Sequence, residues 1–361
     1  MTEKKVVTVP VSNVVPGMVA ARDIYSKNEQ LLIGKDCVLD ANSIARITFF
    51  GILSLPIYAD DRIEINDTEE DMVFGNLAEK QVFEKFNEIY EESILNMEES
   101  MNQLLKVGDK IDEKKLIHDV ESLVISTGTK YHVFDMLYYI KDYDDETYHH
   151  SLNVAMICNV FADWIGMSQY EKNLLTLCGL LHDFGKLLVS KEILRKPGKL
   201  TEDEFEIIKQ HPVKGYEFLK NKKIHESVKR AVLLHHERCN GQGYPFGMTV
   251  NEIDPYAAII AIADVYEAMT ATRVYRKGLS PFRVIKLFEE EGRQQFNPIF
   301  LMPILKNLTE TYLRHRVQLS NGEEGVVVMI NTNELSRPVV LVDNEAIDLT
   351  KHRNLSIEKV Y

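Results

Sequence analysis

Two long apolar stretches of the chain are interrupted by side chains that a packed helix interior would exclude. In LLTLCGLLHDFGKLLV, which starts at Leu174, the charged or imidazole side chains are His182, Asp183 and Lys186; AAIIAIADVYEAM, from Ala257, is apolar until Asp264. Burying a lone carboxylate costs several kcal/mol, so these acids need a partner charge or a metal. The histidines supply candidates. His150 begins the apolar run SLNVAMICNVF with Glu146 four residues before it, on the same helical face, and His211, His235 and His236 each stand beside a helix end or loop. A mixed set of imidazoles and carboxylates without thiolate suits iron, manganese or a hydrolytic zinc better than a closed structural zinc site. Adjacent His182 and Asp183 can send an imidazole to one ion while the carboxylate bridges to a second, the arrangement by which two-metal centres hydrolyse phosphate esters.

The stretch HHERCNGQGYP, residues 235 to 245, adds turn chemistry to this set. Its glycines permit a tight backbone excursion, and Glu237 and Arg238 are expected to form an ion pair or a hydrogen-bonding brace. Lys186, three residues after Asp183, is expected one turn along the same helix, within reach of a phosphate oxygen. Lys191, Arg195, Lys196 and Lys199 form a basic rim that could gather an anion.

The elements that must hold these residues are mostly helical. Residues 111 to 312 read as amphipathic helices, broken at Gly166-Met167-Ser168, Lys196-Pro197-Gly198, His211-Pro212 and Gly241 to Gly247. Before them come a small mixed domain over 1–65, with β-branched runs VVTVPV and LLIG and a closing strand in GILSLPIY, then an acidic linker and long helix over 66–110. In that helix Val82, Phe86, Tyr90, Ile94, Met97, Met101 and Leu104 make one apolar stripe. The stripe suits packing against the core, and its heptad spacing also fits a homodimer seam through the 76–105 helix. Residues 313–361 switch to β runs around Asn321-Gly322 and read as a small β domain of four or five strands. The expected class is mainly α, with small flanking domains.

Composition sets limits. Over 361 residues the net charge is −13, which disfavours binding of nucleic acid polymers, and no apolar run approaches a membrane span. No secretory signal is visible at MTEKKVVTVPV, and four scattered cysteines without a CxxC pair argue against disulfides or a zinc knuckle; the expected compartment is the cytoplasm.

From about 145 to 300 the segments HSLNVA, LLHDFGKL, ILRKPGKLTEDEF, KQHPVKGYEFL, HHERCNGQGYP and IAIADVYEAMTATRVYRKG follow the order of a known family. The chain resembles HD-GYP domains, a subgroup of the HD phosphohydrolase superfamily known for hydrolysing the bacterial messenger cyclic di-GMP. The resemblance implies an all-helical HD-superfamily core, a metal-dependent phosphodiesterase yielding pGpG or GMP, and metal ligands at His150, His182, Asp183, His211, His235, His236 and Asp264. It gives Asp183 and Lys186 catalytic roles and places Lys186, Tyr244, Arg273 and Arg276 on the substrate. Members with an acid at the place of Glu146 resemble those holding three metals, so two or three divalent ions are expected, iron ahead of manganese or zinc. Asn240, Glu267 and Asn297 stand where the family usually has aspartate, and Val274 where it usually has proline. Alternatives are a receptor for the messenger with poor turnover, and a phosphohydrolase for another cyclic dinucleotide.

Overall fold

The structure is a computed structural model and describes residues 6–11, 14–26, 30–50, 52, 54–58, 77–106, 108, 111–128, 132–140, 146–194, 196, 201–271 and 278–361. The N-terminal unit contains β1 (Val6–Pro10), β2 (Ile24–Tyr25), β3 (Leu31–Ile33), α1 (Ala41–Phe49) and β4 (Ser54–Tyr58). β1 and β4 pair antiparallel with Val7 opposite Ile57 and Val9 opposite Leu55, so the period-two alternation buries these four together. Asp40 caps α1 by accepting from the Ser43 amide at 2.7 Å. Helical spacing divides that helix: Ile44 and Ile47 close the N-terminal cluster, whereas Ala45 and Phe49, four apart, join the main core. Phe49 meets Phe288 and Phe296 edge-on at 5.4 and 5.6 Å.

The long helix α2 spans Leu77–Lys106. Phe86, Tyr90, Ile94, Met97, Met101 and Leu104 are all buried, facing α3 (Glu113–Ser126) and α5 (Glu146–Trp164), with α4 (His132–Tyr139) between these two in the chain. Six of the seven stripe residues are thus covered within the chain, and Val82 is half-buried.

The helical core continues through α6 (Gln169–Leu181), α7 (Lys191–Leu194), α8 (Glu202–Lys209), α9 (His211–Leu219), α10 (Glu226–Leu234), α11 (Pro255–Thr270), α12 (Pro281–Leu287), α13 (Arg293–Gln295) and α14 (Pro298–Thr311). Capping explains several starts: Ser168 with Glu171 before α6, and Thr201 with Glu204 before α8, form reciprocal capping boxes. One expectation fails here. His182, Asp183 and Lys186 do not share a continuous helix: α6 stops at Leu181 and a 3₁₀ turn covers Phe184–Leu188. The reason is close packing, since a side chain at Gly185 would come within 1.8 Å of the His211 carbonyl oxygen. The break brings the 3₁₀ turn against α9, and the three-residue period of the turn still sets Lys186 beside Asp183.

The C-terminal residues form β5 (Arg316–Leu319), β6 (Glu324–Met329), β7 (Val339–Val342), β8 (Glu345–Asp348) and β9 (Ile357–Val360), one antiparallel sheet in the order β8-β7-β6-β5-β9. Val317, Leu319, Val327, Val340 and Ile357 extend the main core into this sheet. His315, just before β5, meets Asp135 of α4 at 3.3 Å.

Candidate metal centre

Five segments converge on one point. α5 carries His150, the end of α6 presents His182 and Asp183, His211 opens α9, His235 and His236 follow α10, and Asp264 lies in α11. Asp183 sits at the centre. Its Oδ2 lies 3.5 Å from His150 Nε2 and 3.4 Å from His182 Nε2, while its Oδ1 lies 3.1 and 3.7 Å from the Nε2 atoms of His211 and His235. Asp264 Oδ1 is 3.1 Å from His150 Nε2, and its Oδ2 is 3.9 Å from His236 Nδ1. Donor atoms fall into two groups, each compact enough to share a cation: His150, His182 and Asp264, and Asp183, His211, His235 and His236.

Hydrogen bonds at the far side of the rings test whether a metal suits this arrangement. His182 Nδ1 donates to Gly179 O at 2.7 Å, His211 Nδ1 to Ile208 O at 2.8 Å, and His235 Nδ1 to Val232 O at 2.9 Å. In a neutral ring whose Nδ1 carries the proton, Nε2 holds a lone pair. Yet His211 Nε2 and His235 Nε2 face one another at 3.2 Å. Asp183 Oδ1, fully buried, receives no hydrogen bond. Lone pairs aimed at each other around an orphaned carboxylate oxygen repel unless a cation sits among them, so the donor set fits divalent metal.

Electrostatics agrees. Burial pushes the His211 imidazole down, His235 down to about 4 and His236 well below its usual range, so these rings are neutral and able to ligate near pH 7. Burial opposes ionisation of Asp183, but the Lys186 ammonium and the His182 ring outweigh it and hold the carboxyl well below the usual range. For Asp264, burial is outweighed by the hydrogen bond and charge of His150. His150 is the exception: burial works to lower it, but Glu267 and Asp264 push it up to about 10, so an incoming cation must displace a proton there.

The loop after His236 is built against this centre. A side chain at Gly243 would fall 2.3 Å from both Glu237 Cα and Arg238 N, so the backbone lies flat on its own preceding turn. Glu237 accepts from the amides of Phe246 and Met248 at 2.7 and 2.9 Å, and Arg238 Nη1 donates to the carbonyls of His235 and Glu237 at 3.2 and 2.9 Å. The brace is therefore side chain to backbone, with each residue of the Glu237-Arg238 pair bonded to the loop. Tyr244, joined to Pro245 by a cis peptide, stacks on His236 at 4.6 Å, and burial keeps its phenol protonated. Lys186 Nζ contacts Asp183 Oδ2 at 2.5 Å and keeps 27% of its side chain exposed, so it joins the buried carboxylate to solvent. Lys196 of the expected basic rim is engaged by Glu204 at 2.7 Å.

Comparison with known proteins then decides the family. An HD domain model matches residues 116–299, just over half of the chain. The chain belongs to the HD domain family. A cyclic di-GMP phosphodiesterase of Pseudomonas aeruginosa is 32% identical over 244 residues, covering 67% of this chain and 59% of the relative. One from Thermotoga maritima is 32% identical over 192 residues, 52% of each chain. A 3'3'-cGAMP-specific phosphodiesterase of Vibrio cholerae is 39% identical over 145 residues, 40% of this chain and 34% of the relative. The HD domain chain thus spans from about a third to three-fifths of the length of these relatives. A solved HDG"Y"P protein of Bdellovibrio bacteriovorus is 16% identical, with a TM-score of 0.47 over 84% of this chain and 99% of that one.

Other expected residues are distributed as follows. The Glu146 side chain, Arg273, Arg276, Val274, Arg195 and Lys199 lie outside the described residues. His149, one position off the ligand face, stacks on Tyr90 at 5.7 Å. Asn297 caps α14 by accepting from the Ile299 amide at 3.0 Å, which asparagine does as well as aspartate. Asn240 accepts from the Gln242 amide at 3.2 Å within the loop. Glu267 was legible only as a departure from the family pattern, yet its Oε2 accepts from His150 Nδ1 at 2.6 Å and orients that ring. Asn153, whose Nδ2 donates to Glu267 Oε1 at 3.0 Å, gave no sequence signal beyond being an amide in an apolar helix.

Proposed function

We propose that this HD domain chain is a metal-dependent phosphodiesterase that hydrolyses cyclic di-GMP to pGpG, GMP or both. The observation that carries the reading is the convergence of seven imidazole and carboxylate donors into two adjacent groups, with the His211 and His235 lone pairs opposed beside an unbonded Asp183 oxygen. His150, His182, Asp183, His211, His235, His236 and Asp264 are the proposed ligands, with Glu146, four residues before His150 on α5, for a third ion. Cations held there supply Lewis acidity and an activated water for in-line attack at phosphorus. Asp183, a donor of one group, also turns its Oδ2 toward His150 and His182 of the other. Lys186, held by Asp183 and open to solvent, takes a nonbridging phosphate oxygen and stabilises its charge. Tyr244 beside His236, with Arg273 and Arg276, binds the rest of the dinucleotide. Iron is the proposed metal, ahead of manganese and zinc, on the family resemblance, since imidazole and carboxylate donors accept all three.

Cyclic di-GMP is favoured because the relatives matching the longest stretches are named as its phosphodiesterases. The Vibrio cholerae relative named for 3'3'-cGAMP supports a second reading, in which that mixed dinucleotide is the substrate. Residues 1–65 and 313–361 are proposed as a regulatory and an accessory unit of a cytoplasmic enzyme, and no helix among the described residues is long and apolar enough to cross a membrane. A second copy would have to dock elsewhere than the six buried residues of the α2 stripe.

The test is anaerobic purification, elemental analysis of bound metal, and a parallel assay with cyclic di-GMP and 3'3'-cGAMP while pGpG and GMP are followed. Two or three metals per chain with faster turnover of cyclic di-GMP support the proposal. Full metal with tight binding and no product would move the weight to a receptor.

A further inference from the structure

We propose that Tyr90, on the long helix α2, is a positioning residue for the metal centre, acting through Asn153 and Glu267 on His150. The inference deepens the proposed function and rests on its reading of His150 as a ligand. The Tyr90 hydroxyl donates to Asn153 Oδ1 at 2.8 Å, Asn153 Nδ2 donates to Glu267 Oε1 at 3.0 Å, and His150 Nδ1 donates to Glu267 Oε2 at 2.6 Å. All four residues are buried, with relative exposures of 0, 8, 5 and 8% for Tyr90, Asn153, Glu267 and His150. The relay crosses three helices, from α2 through α5 to α11 and back to the ligand on α5.

Direction is what gives the relay its function. An asparagine amide can present either edge, and its orientation follows from its neighbours. A phenol at neutral pH can give its proton to Asn153 Oδ1, which turns Nδ2 toward Glu267. The reversed amide would set Oδ1 against a carboxylate. With Oε1 satisfied in this way, Oε2 remains for His150 Nδ1, and the ring's tautomer and plane are fixed with Nε2 aimed at Asp183 and Asp264. Packing alone does not ask for a tyrosine here. Phe86, one turn earlier in the same stripe, is buried at 0% exposure without a hydroxyl, and its ring lies 5.8 Å from that of Tyr90. A phenylalanine at position 90 would fill the same space and lose the relay, together with the longer 3.4 Å contact between the hydroxyl and His149 Nδ1. The seating of α2, the helix that follows the N-terminal unit in the chain, is therefore a determinant of metal affinity at the His150 side of the centre.

The test is zinc affinity of the metal-stripped full chain, measured by competition with a chromophoric chelator, for wild type, Tyr90→Phe, Glu267→Gln, the double variant and Ser93→Ala. Ser93 is the control because its buried hydroxyl, on the same helix, donates to the Ile89 carbonyl at 2.7 Å and takes no part in the relay. Loss of a direct ligand partner weakens metal binding about 10- to 100-fold, the range expected for Glu267→Gln. Tyr90→Phe, two bonds further out, is expected to weaken it about 3- to 10-fold, and the double variant no more than Glu267→Gln alone, since both changes break one relay. Ser93→Ala should match wild type. Wild-type zinc affinity in Tyr90→Phe, or independent multiplication of the two effects, overturns the proposal. If Tyr90→Phe does not fold, Asn153→Ala decides by the same criteria. A wild type that takes up no zinc sinks the metal reading itself, and that result is seen before any variant is compared.

Discussion

At Asp183 one carboxylate faces two sets of imidazoles, and the lysine that balances its charge is also the proposed contact to substrate. This double duty makes a specific expectation. Lys186→Ala should lower kcat for cyclic di-GMP about 100-fold, the scale of losing one charge-stabilising donor, while elemental analysis finds wild-type metal per chain. A fall in bound metal would mean instead that Lys186 acts by holding Asp183. Gly243→Ala tests the loop: a methyl group 2.3 Å from the Glu237 and Arg238 backbone forces a shift of the turn and should reduce unfolding free energy by about 1–3 kcal/mol in urea titrations, with activity falling as well. The charged members of the centre were legible in the sequence because carboxylates and imidazoles are costly in apolar helices. Glu267 and Tyr90 were not, because each looks ordinary in its own helix: one stands near the end of α11, the other in an apolar stripe, and their roles arise from partners 117 and 63 residues away.

At the scale of elements, the helical character, the long stripe of α2 and the C-terminal β runs followed from periodicity. The break between α6 and the 3₁₀ turn did not, since it depends on a glycine-permitted contact with α9 that no local pattern encodes. The attachment of the C-terminal sheet was equally hidden and rests in part on His315 and Asp135. Burial works to lower the His315 pKa, but the hydrogen bond and charge of Asp135 raise it above its ordinary value. A histidine with a raised folded-state pKa contributes stability that is fully present below its unfolded value of about 6.5 and is lost as pH rises through the folded one. The melting temperature should therefore decline from about pH 6.5 upward, and His315→Asn should flatten that decline while lowering the temperature on the acid side. Thermal scans across pH on the two proteins check it; equal slopes would remove the pair from the stability of the sheet contact.

Across the whole molecule, the N-terminal unit reaches the signature loop through aromatic packing. Phe49 of α1 lies against Phe296, and the Arg238 guanidinium that braces His235 lies 5.0 Å from the same ring. Phe49→Ala should reduce unfolding free energy by about 3–5 kcal/mol, read by urea denaturation, because it opens a cavity where three rings meet. The convergence of five segments has a further consequence, in the time domain. A nascent chain that ends before α11 lacks both Asp264 and Glu267, and closing a span of more than a hundred residues is a slow entropic step in folding. A chain stalled on the ribosome short of that helix therefore carries the five clustered histidines and Asp183, but the group of His150 and His182 still lacks its carboxylate, so metal capture there reports that α11 has docked.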